Sequence, residues 1–115
     1  MDTTLPLTQI AADVFVAPQL DAPAMAELAR LGFRAVVCNR PDHEHGPGQP
    51  LAADVAQAAQ AAGLQFRHLP VAGGYQSPEE VEQMRALLAE LPRPLLAFCR
   101  SGARSARLYQ LATSA

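Results

Sequence analysis

The sequence predicts an α/β domain with a largely parallel central sheet and helices on both faces. Short β-rich segments alternate with stretches of helical apolar spacing, and parallel neighbours need such crossovers. One segment, Pro94 to Cys99 (PLLAFC), is almost continuously apolar, as a central strand covered on both faces must be. The helical stretches also stop at glycine or proline, at Gly32, Gly63 and Pro92. With 115 residues, 50% of them hydrophobic, the chain suits one domain, residues 1–115, and is too short for two.

Each element follows from its own residues. TQIA (8–11) and DVFVAP (13–18) read as short strands, the second rich in β-branched and aromatic side chains that fit a pleated surface. Asp21 can cap a helix, and Met25, Leu28 and Leu31 give it an apolar stripe. FRAVVCN (33–39) is a strand ending in RPDHEHGPGQP, a loop by its two glycines and three prolines. Leu51, Val55, Ala58 and Ala62 mark the buried face of a second helix. LQFRHLPV (64–71) is the next strand, broken by AGGYQ. Ser77-Pro78-Glu79-Glu80 is a capping box with proline at the first helical position, where its missing N–H costs nothing. Val81, Met84, Leu87, Leu88 and Leu91 supply that helix with a buried face, and Pro92 and Pro94 end it. After the apolar strand, helical spacing resumes at Gly102, with Leu108 and Leu111 on one side.

Composition removes several function classes. The net charge is -2 and the nine basic residues, all arginine, are scattered, which argues against nucleic acid as a partner. No apolar run approaches the ~18 residues of a membrane span, and no basic segment precedes an apolar one at the start, so a soluble, cytoplasmic protein is expected. Two cysteines, Cys38 and Cys99, make no disulfide framework and read as reduced thiols. Cys38, within an apolar strand, reads as packing or, less simply, as a resolving thiol. Asp42, His43, Glu44 and His45 share a Gly/Pro-rich loop without the spacing of a metal motif, so no metal or cofactor is expected. His68 reads as a hydrogen-bonded core histidine. Tyr75 with Gly73 and Gly74 forms a pocket lip or a turn, and Arg40 and Arg107 extend a positive rim or are solvated.

In sheets of this kind ligands bind beyond the carboxyl ends of the strands, so the loops starting at Arg40, Ala72 and Cys99 should share one edge. The last is the most informative: LLAFCRSGARS (95–105) places a cysteine between a strand and a helix. Unpaired amides and the helix dipole there favour an anion and lower a thiol's pKa. Arg100 and Arg104 add positive charge. Gly102 lets the loop bend so that the amides of Arg100 to Arg104, including Ala103, turn inward as a nest. Ser101 and Ser105 can donate to the sulfur or to a bound oxyanion. The alternative is a packed core cysteine beside a solvated helix face.

GFRAVVCNRPDHE, AAGLQFRHLPV, SPEEVEQMRALL and LLAFCRSGARS, in that order, resemble the phosphatase-like domain of the β-lactamase-hydrolase-like proteins over nearly the whole chain. The resemblance implies a protein-tyrosine-phosphatase-like fold, found alone or fused to a persulfide dioxygenase or a sulfide-oxidising enzyme. It also implies Cys99 as nucleophile, the Arg100–Arg104 backbone as oxyanion cradle and Arg104 as its cation.

Two departures set the chain apart from tyrosine phosphatases. In those enzymes five residues separate cysteine and arginine; here four separate Cys99 and Arg104. One residue fewer removes up to ~3.5 Å of chain and tightens the ring. A six-residue loop with glycine fourth resembles that of single-domain rhodaneses, which carry sulfur as a persulfide. AGGYQ also lacks the aspartate that dual-specificity phosphatases use as an acid, worth about 10²- to 10⁴-fold. Asp42 and Glu44, on a loop facing the same edge, are the candidate acids. These features are compatible with three functions. The leading expectation is a sulfurtransferase, in which a Cys99 persulfide passes sulfane sulfur from thiosulfate or a persulfide to a thiol such as glutathione. Sulfite leaves as a stable anion and needs no acid. The alternative is a phosphatase (hydrolase) acting on a phosphate ester through a phosphocysteine. The third is a non-catalytic domain that binds an oxyanion or a partner enzyme.

Overall fold

In the computed structural model, which describes residues 2–114, the elements follow in the order β1 (Thr8–Ala11), β2 (Val14–Ala17), α1 (Ala22–Arg30), β3 (Ala35–Cys38), α2 (Ala52–Ala61), β4 (Gln65–His68), α3 (Pro78–Glu90), β5 (Leu95–Phe98) and α4 (Ala103–Thr113). The strands lie in the order β1-β2-β5-β3-β4. β1 and β2 form an antiparallel hairpin, and the other pairings are parallel. The most apolar strand takes the middle: Leu95 pairs with Val14 on one side and Ala35 on the other, and Phe98 with Ala17 and Cys38.

Alternation along these strands divides the core in two. Val36, Cys38, Leu96 and Phe98 enter the layer beneath α1 and α2. Val37, Leu95, Ala97 and Val71 enter the layer that Met84 of α3 and Leu108 of α4 complete. Each fully buried Leu, Val or Phe contributes roughly 1.5–3 kcal/mol relative to exposure, so β5, buried along its whole length, fixes both layers at once.

The helix starts form as their residues dictate. The Asp21 carboxylate accepts from the Ala24 N–H at 3.3 Å. In the capping box of α3 the Glu80 N–H donates to Ser77 Oγ at 3.1 Å and the Ser77 N–H to Glu80 Oε1 at 2.8 Å. Two apolar faces differ from expectation. Leu51 precedes α2 as its N-cap and is 37% exposed, and Ala52, Val55 and Ala59 are the buried positions. Alanine surrounds that helix, so two phases one residue apart fit the spacing equally well. In α4 the buried face is Ser105, Leu108 and Ala112 rather than Leu111. His68 also departs from its expected core position: β4 is an edge strand and His68 is exposed.

The connections explain where a site can form. β3 leads outward through α2 to β4, and α3 brings the chain back to β5 between β2 and β3. Loops from β3 and β5 therefore leave neighbouring strands in different directions, opening a crevice at their carboxyl ends. Among the described residues no helix is long and apolar enough to cross a membrane.

Candidate active site

Cys99 lies one residue beyond β5, and Asn39 one beyond β3. The Asn39 N–H donates to the Phe98 carbonyl at 2.8 Å, and the Cys99 N–H reaches the Ala17 carbonyl at 3.3 Å. These bonds hold the cysteine between both neighbouring strands. The chain then turns back over the sulfur, and the Gly102 N–H donates to Cys99 Sγ at 3.0 Å. Gly102 adopts φ +95, a left-handed conformation that glycine accepts freely and other residues do not.

A buried polar chain supports the other side of the sulfur. Ser105 and Asn39 are both fully buried, and Ser105 Oγ donates to Asn39 Oδ1 at 2.8 Å. Asn39 Nδ2 donates in turn to the Leu69 carbonyl at 3.2 Å, which fixes the amide with its oxygen toward Ser105. Burial pushes the Cys99 thiol up, but the amide and hydroxyl of Ser105 and the amides of Gly102 and Ser101 outweigh it and leave its pKa lowered. The Ser105 hydroxyl has one proton. It serves Asn39 beside a neutral thiol and can rotate to Sγ beside a thiolate.

Sequence reasoning singled out Ser105 but missed Asn39. The signal was a lone carboxamide ending the all-apolar AVVC strand. A strand-end polar residue that cannot reach water needs a partner, and here that partner stands 66 residues away in the first turn of α4.

Arg104 leaves the same turn and crosses to the β3 and β4 loops. Its Nη1 donates to the Val71 carbonyl at 2.8 Å and lies 3.1 Å from Glu44 Oε2, while Nη2 donates to Glu44 Oε1 at 3.3 Å. The guanidinium passes so close under Gly73 that a Cβ there would stand 3.3 Å from Nη2. Its Nε is buried and has no hydrogen-bond partner, although buried polar groups are ordinarily satisfied.

The loops starting at Arg40, Ala72 and Cys99 thus meet at one edge. The two candidate acids differ in position. Asp42 Oδ1 accepts from the Ala52 N–H at 2.8 Å, so it caps α2, whose own N-cap Leu51 offers no side-chain acceptor. Glu44 does reach the site, between Arg104 and Arg40, whose Nε is 2.9 Å from Glu44 Oε1. Burial pushes the Glu44 carboxyl up, but hydrogen bonds from Arg104 and Arg40 prevail and hold it below the usual carboxylate range. Arg40 is buried rather than on a solvated rim. His68 Nε2 lies 2.9 Å from the Arg40 carbonyl, and Tyr75 is 69% exposed.

Above the cysteine loop lies an open cleft of about 360 Å³, walled by Arg100, Ser101, Arg104, Arg107, Gly73 and Gln76. Cys99 is 1% exposed and sits at the base of the loop that forms this wall. Together the site offers a thiol with a depressed pKa, inward amides, a partly unsatisfied guanidinium and a positive cleft. Such a set stabilises negative charge beside a sulfur nucleophile. Among the described residues no group of three or more His, Cys, Asp or Glu side chains could hold a metal ion.

Comparison with known proteins gives this geometry a context. The phosphatase-like domain of the β-lactamase hydrolase-like proteins matches residues 6–115. A β-lactamase hydrolase-like protein of Agrobacterium fabrum is 34% identical over 84 residues, covering 73% of this chain and 19% of that protein. The chain therefore spans about a fifth of the length of such curated relatives. The crystal structure of a candidate phosphatase from Neisseria meningitidis superposes with a TM-score of 0.80 at 32% identity, over 88% of this chain and 71% of that one. TpbA of P. aeruginosa, solved as a cysteine-to-serine variant with phosphotyrosine, gives a TM-score of 0.61 at 20% identity over 89% of this chain and 57% of that one. That likeness establishes a shared fold.

Proposed function

Because the chain belongs to the family of phosphatase-like domains of the β-lactamase hydrolase-like proteins, we propose that it is a cysteine-dependent phosphatase acting on small anionic phosphate monoesters. The observation that carries this reading is the buried, unpartnered Nε of Arg104, on the residue adjoining the Ser105 that lowers the Cys99 pKa. An oxyanion seated over the loop would give that N–H its acceptor. Phosphotyrosine bound by TpbA, which shares the fold, supports a phosphoryl group as that anion.

The chemistry needs no cofactor. The Cys99 thiolate attacks phosphorus, the phosphorus–oxygen ester bond breaks, and its electron pair leaves on the departing oxygen. Water then attacks the phosphocysteine, the sulfur–phosphorus bond breaks, and the thiolate returns with release of inorganic phosphate. Loop amides from Arg100 to Ser105 and the Arg104 Nε would stabilise the charge on the non-bridging oxygens in both steps.

Protonation of the leaving group decides the substrate class. Asp42 is engaged by the Ala52 N–H, and Glu44 is held as a carboxylate by two arginines. Esters that leave as stable anions, such as aryl phosphates, are therefore the expected substrates. Alkyl phosphates should react slower by about the 10²- to 10⁴-fold that a general acid is worth.

Two facts favour a second reading. Four residues rather than five between Cys99 and Arg104, with Asp42 and Glu44 both engaged elsewhere, also suit sulfur transfer. The thiolate would attack the outer sulfur of thiosulfate, the sulfur–sulfur bond would break and sulfite would leave with the electron pair. The persulfide would then yield its outer sulfur to a thiol such as glutathione, in concert with a sulfide-oxidising enzyme or persulfide dioxygenase.

One pair of assays separates the readings. Wild type and Cys99→Ser are tested for phosphate release from 4-nitrophenyl phosphate, and for a mass gain of one sulfur atom after thiosulfate. Release by wild type alone is expected. A Cys99-dependent sulfur adduct without phosphate release transfers the conclusion to sulfur transfer, and silence in both assays overturns catalysis in favour of anion binding.

A further inference from the structure

Arginine pairing is uneven across the molecule. Six of the nine arginines lie within 3.7 Å of a carboxylate. Among the described residues Arg34, Arg100 and Arg107 do not. Arg34 stands just before β3, where its backbone meets Pro94 and Gln65, at the sheet edge away from the site. Arg100 and Arg107 are both exposed, and both wall the cleft over the cysteine loop. Two of the three arginines without a carboxylate partner thus stand at one opening.

Their placement is set by the fold. Ser105, Leu108 and Ala112 turn the buried face of α4 inward, so Arg104 and Arg107, three apart, share the flank that faces the cleft. Such helix neighbours have Cβ atoms about 5–6 Å apart. Arg104 supplies the guanidinium beside the loop. Arg107 follows one turn later on α4 and is more exposed than Arg104, with Arg100 on the loop itself and Gln76 also lining the opening. Among the described residues no carboxylate lines this cleft.

We propose that Arg107 and Arg100 form a second anion subsite, and that the natural ligand carries two phosphoryl-type groups about one helical turn apart, as a vicinal bisphosphate does. The inference rests on the reading that the first group sits over the Cys99 loop. Guanidinium groups suit such ligands because their planar N–H fork matches phosphate oxygens. A single phosphoryl group would leave the outer arginines without a phosphoryl partner, whereas a bisphosphate reaches both levels of the cleft.

Equilibrium titration of Cys99→Ser protein with glycerol 1,2-bisphosphate and glycerol 1-phosphate, at fixed ionic strength, tests this. One charge-assisted contact corresponds to a preference of about tenfold or more for the bisphosphate. Arg107→Gln should bring that preference close to unity, and Arg34→Gln should preserve it. No preference in the parent protein overturns the proposal. Equal loss in both arginine variants does so too, because it reports a diffuse field rather than a subsite. Wild-type turnover of 4-nitrophenyl phosphate is read in parallel. A retained preference without turnover removes the hydrolytic reading and leaves the subsite, whereas turnover without preference removes the subsite alone.

Discussion

Cys38 and Cys99 end neighbouring parallel strands, only one residue apart in register, for Cys38 stands opposite Phe98. Both are almost fully buried. Their chemistry nevertheless diverges. Burial pushes the Cys38 thiol up to about 11, which a hydrogen bond from the Arg40 backbone opposes but does not cancel. Cys99 meets the same penalty and ends below the ordinary value because amides and a hydroxyl face its sulfur. Cys38 Sγ, by contrast, finds a carbonyl 3.6 Å away, and a carbonyl can only accept. Position at a strand end does not make a reactive cysteine. The segment after the strand decides: a left-handed glycine and the opening turn of a helix present donors, and an irregular loop presents an acceptor.

The largest expected effect compares the two thiols directly. A thiol with a pKa of about 11 has roughly a hundredfold less thiolate near pH 7 than an ordinary one, and Cys99 exceeds the ordinary fraction. Carboxymethylation by iodoacetate, followed by peptide mass analysis, should label Cys99 at least about a hundredfold faster than Cys38. The sign also governs the pH profile: lowering the pH protonates Cys99 only below the usual thiol range, so its labelling persists there while that of an ordinary thiol fades. Equal labelling of the two residues would mean that the loop donors do not stabilise the thiolate.

Removing one donor should make Cys99 resemble Cys38. Ser105→Ala takes away the hydroxyl that favours the Cys99 thiolate and leaves Asn39 Oδ1 buried without its donor. The midpoint of the Cys99 labelling profile should move to higher pH. The unfolding free energy should fall by about 1–3 kcal/mol, the cost of an unsatisfied buried polar group, as read by urea denaturation. An unchanged midpoint with the same destabilisation would confine Ser105 to a structural role.

The legibility of these features in the sequence depends on the range over which their causes act. The capping box at Ser77 and the bond from Gly102 to Cys99 are local, each partner lying three residues away, and the apolar run of β5 marks a central strand by its own composition. Helix α2 was misphased at Leu51 because its alanines give hydrophobic spacing no contrast. His68 was misplaced because strand order, which makes β4 an edge, depends on how α3 returns the chain. Asn39 with Ser105, and Glu44 with Arg104, are 66 and 60 residues apart. Only the juxtaposition of the β3 and β5 loops reveals that these polar groups satisfy each other, and that Asp42 caps a helix rather than facing the thiol.

A smaller perturbation tests whether backbone shape alone maintains the difference between the cysteines. Gly102 holds φ +95, and a Cβ added there would stand 3.4 Å from the Ala17 carbonyl carbon and oxygen, ordinary contact rather than a clash. The cost of Gly102→Ala is therefore conformational, about 1–2 kcal/mol for an L residue in the left-handed region. No polar side chain is removed. If the chain relieves the strain by turning Gly102 out of that conformation, its N–H leaves Cys99 Sγ, and labelling of Cys99 should shift to higher pH while Cys38 stays inert. A thermal scan would show the lost stability, and the labelling profile would show whether the amide moved with it. Lost stability with an unmoved profile would mean that the loop bears the strain in place, leaving Ser105 as the main source of the contrast.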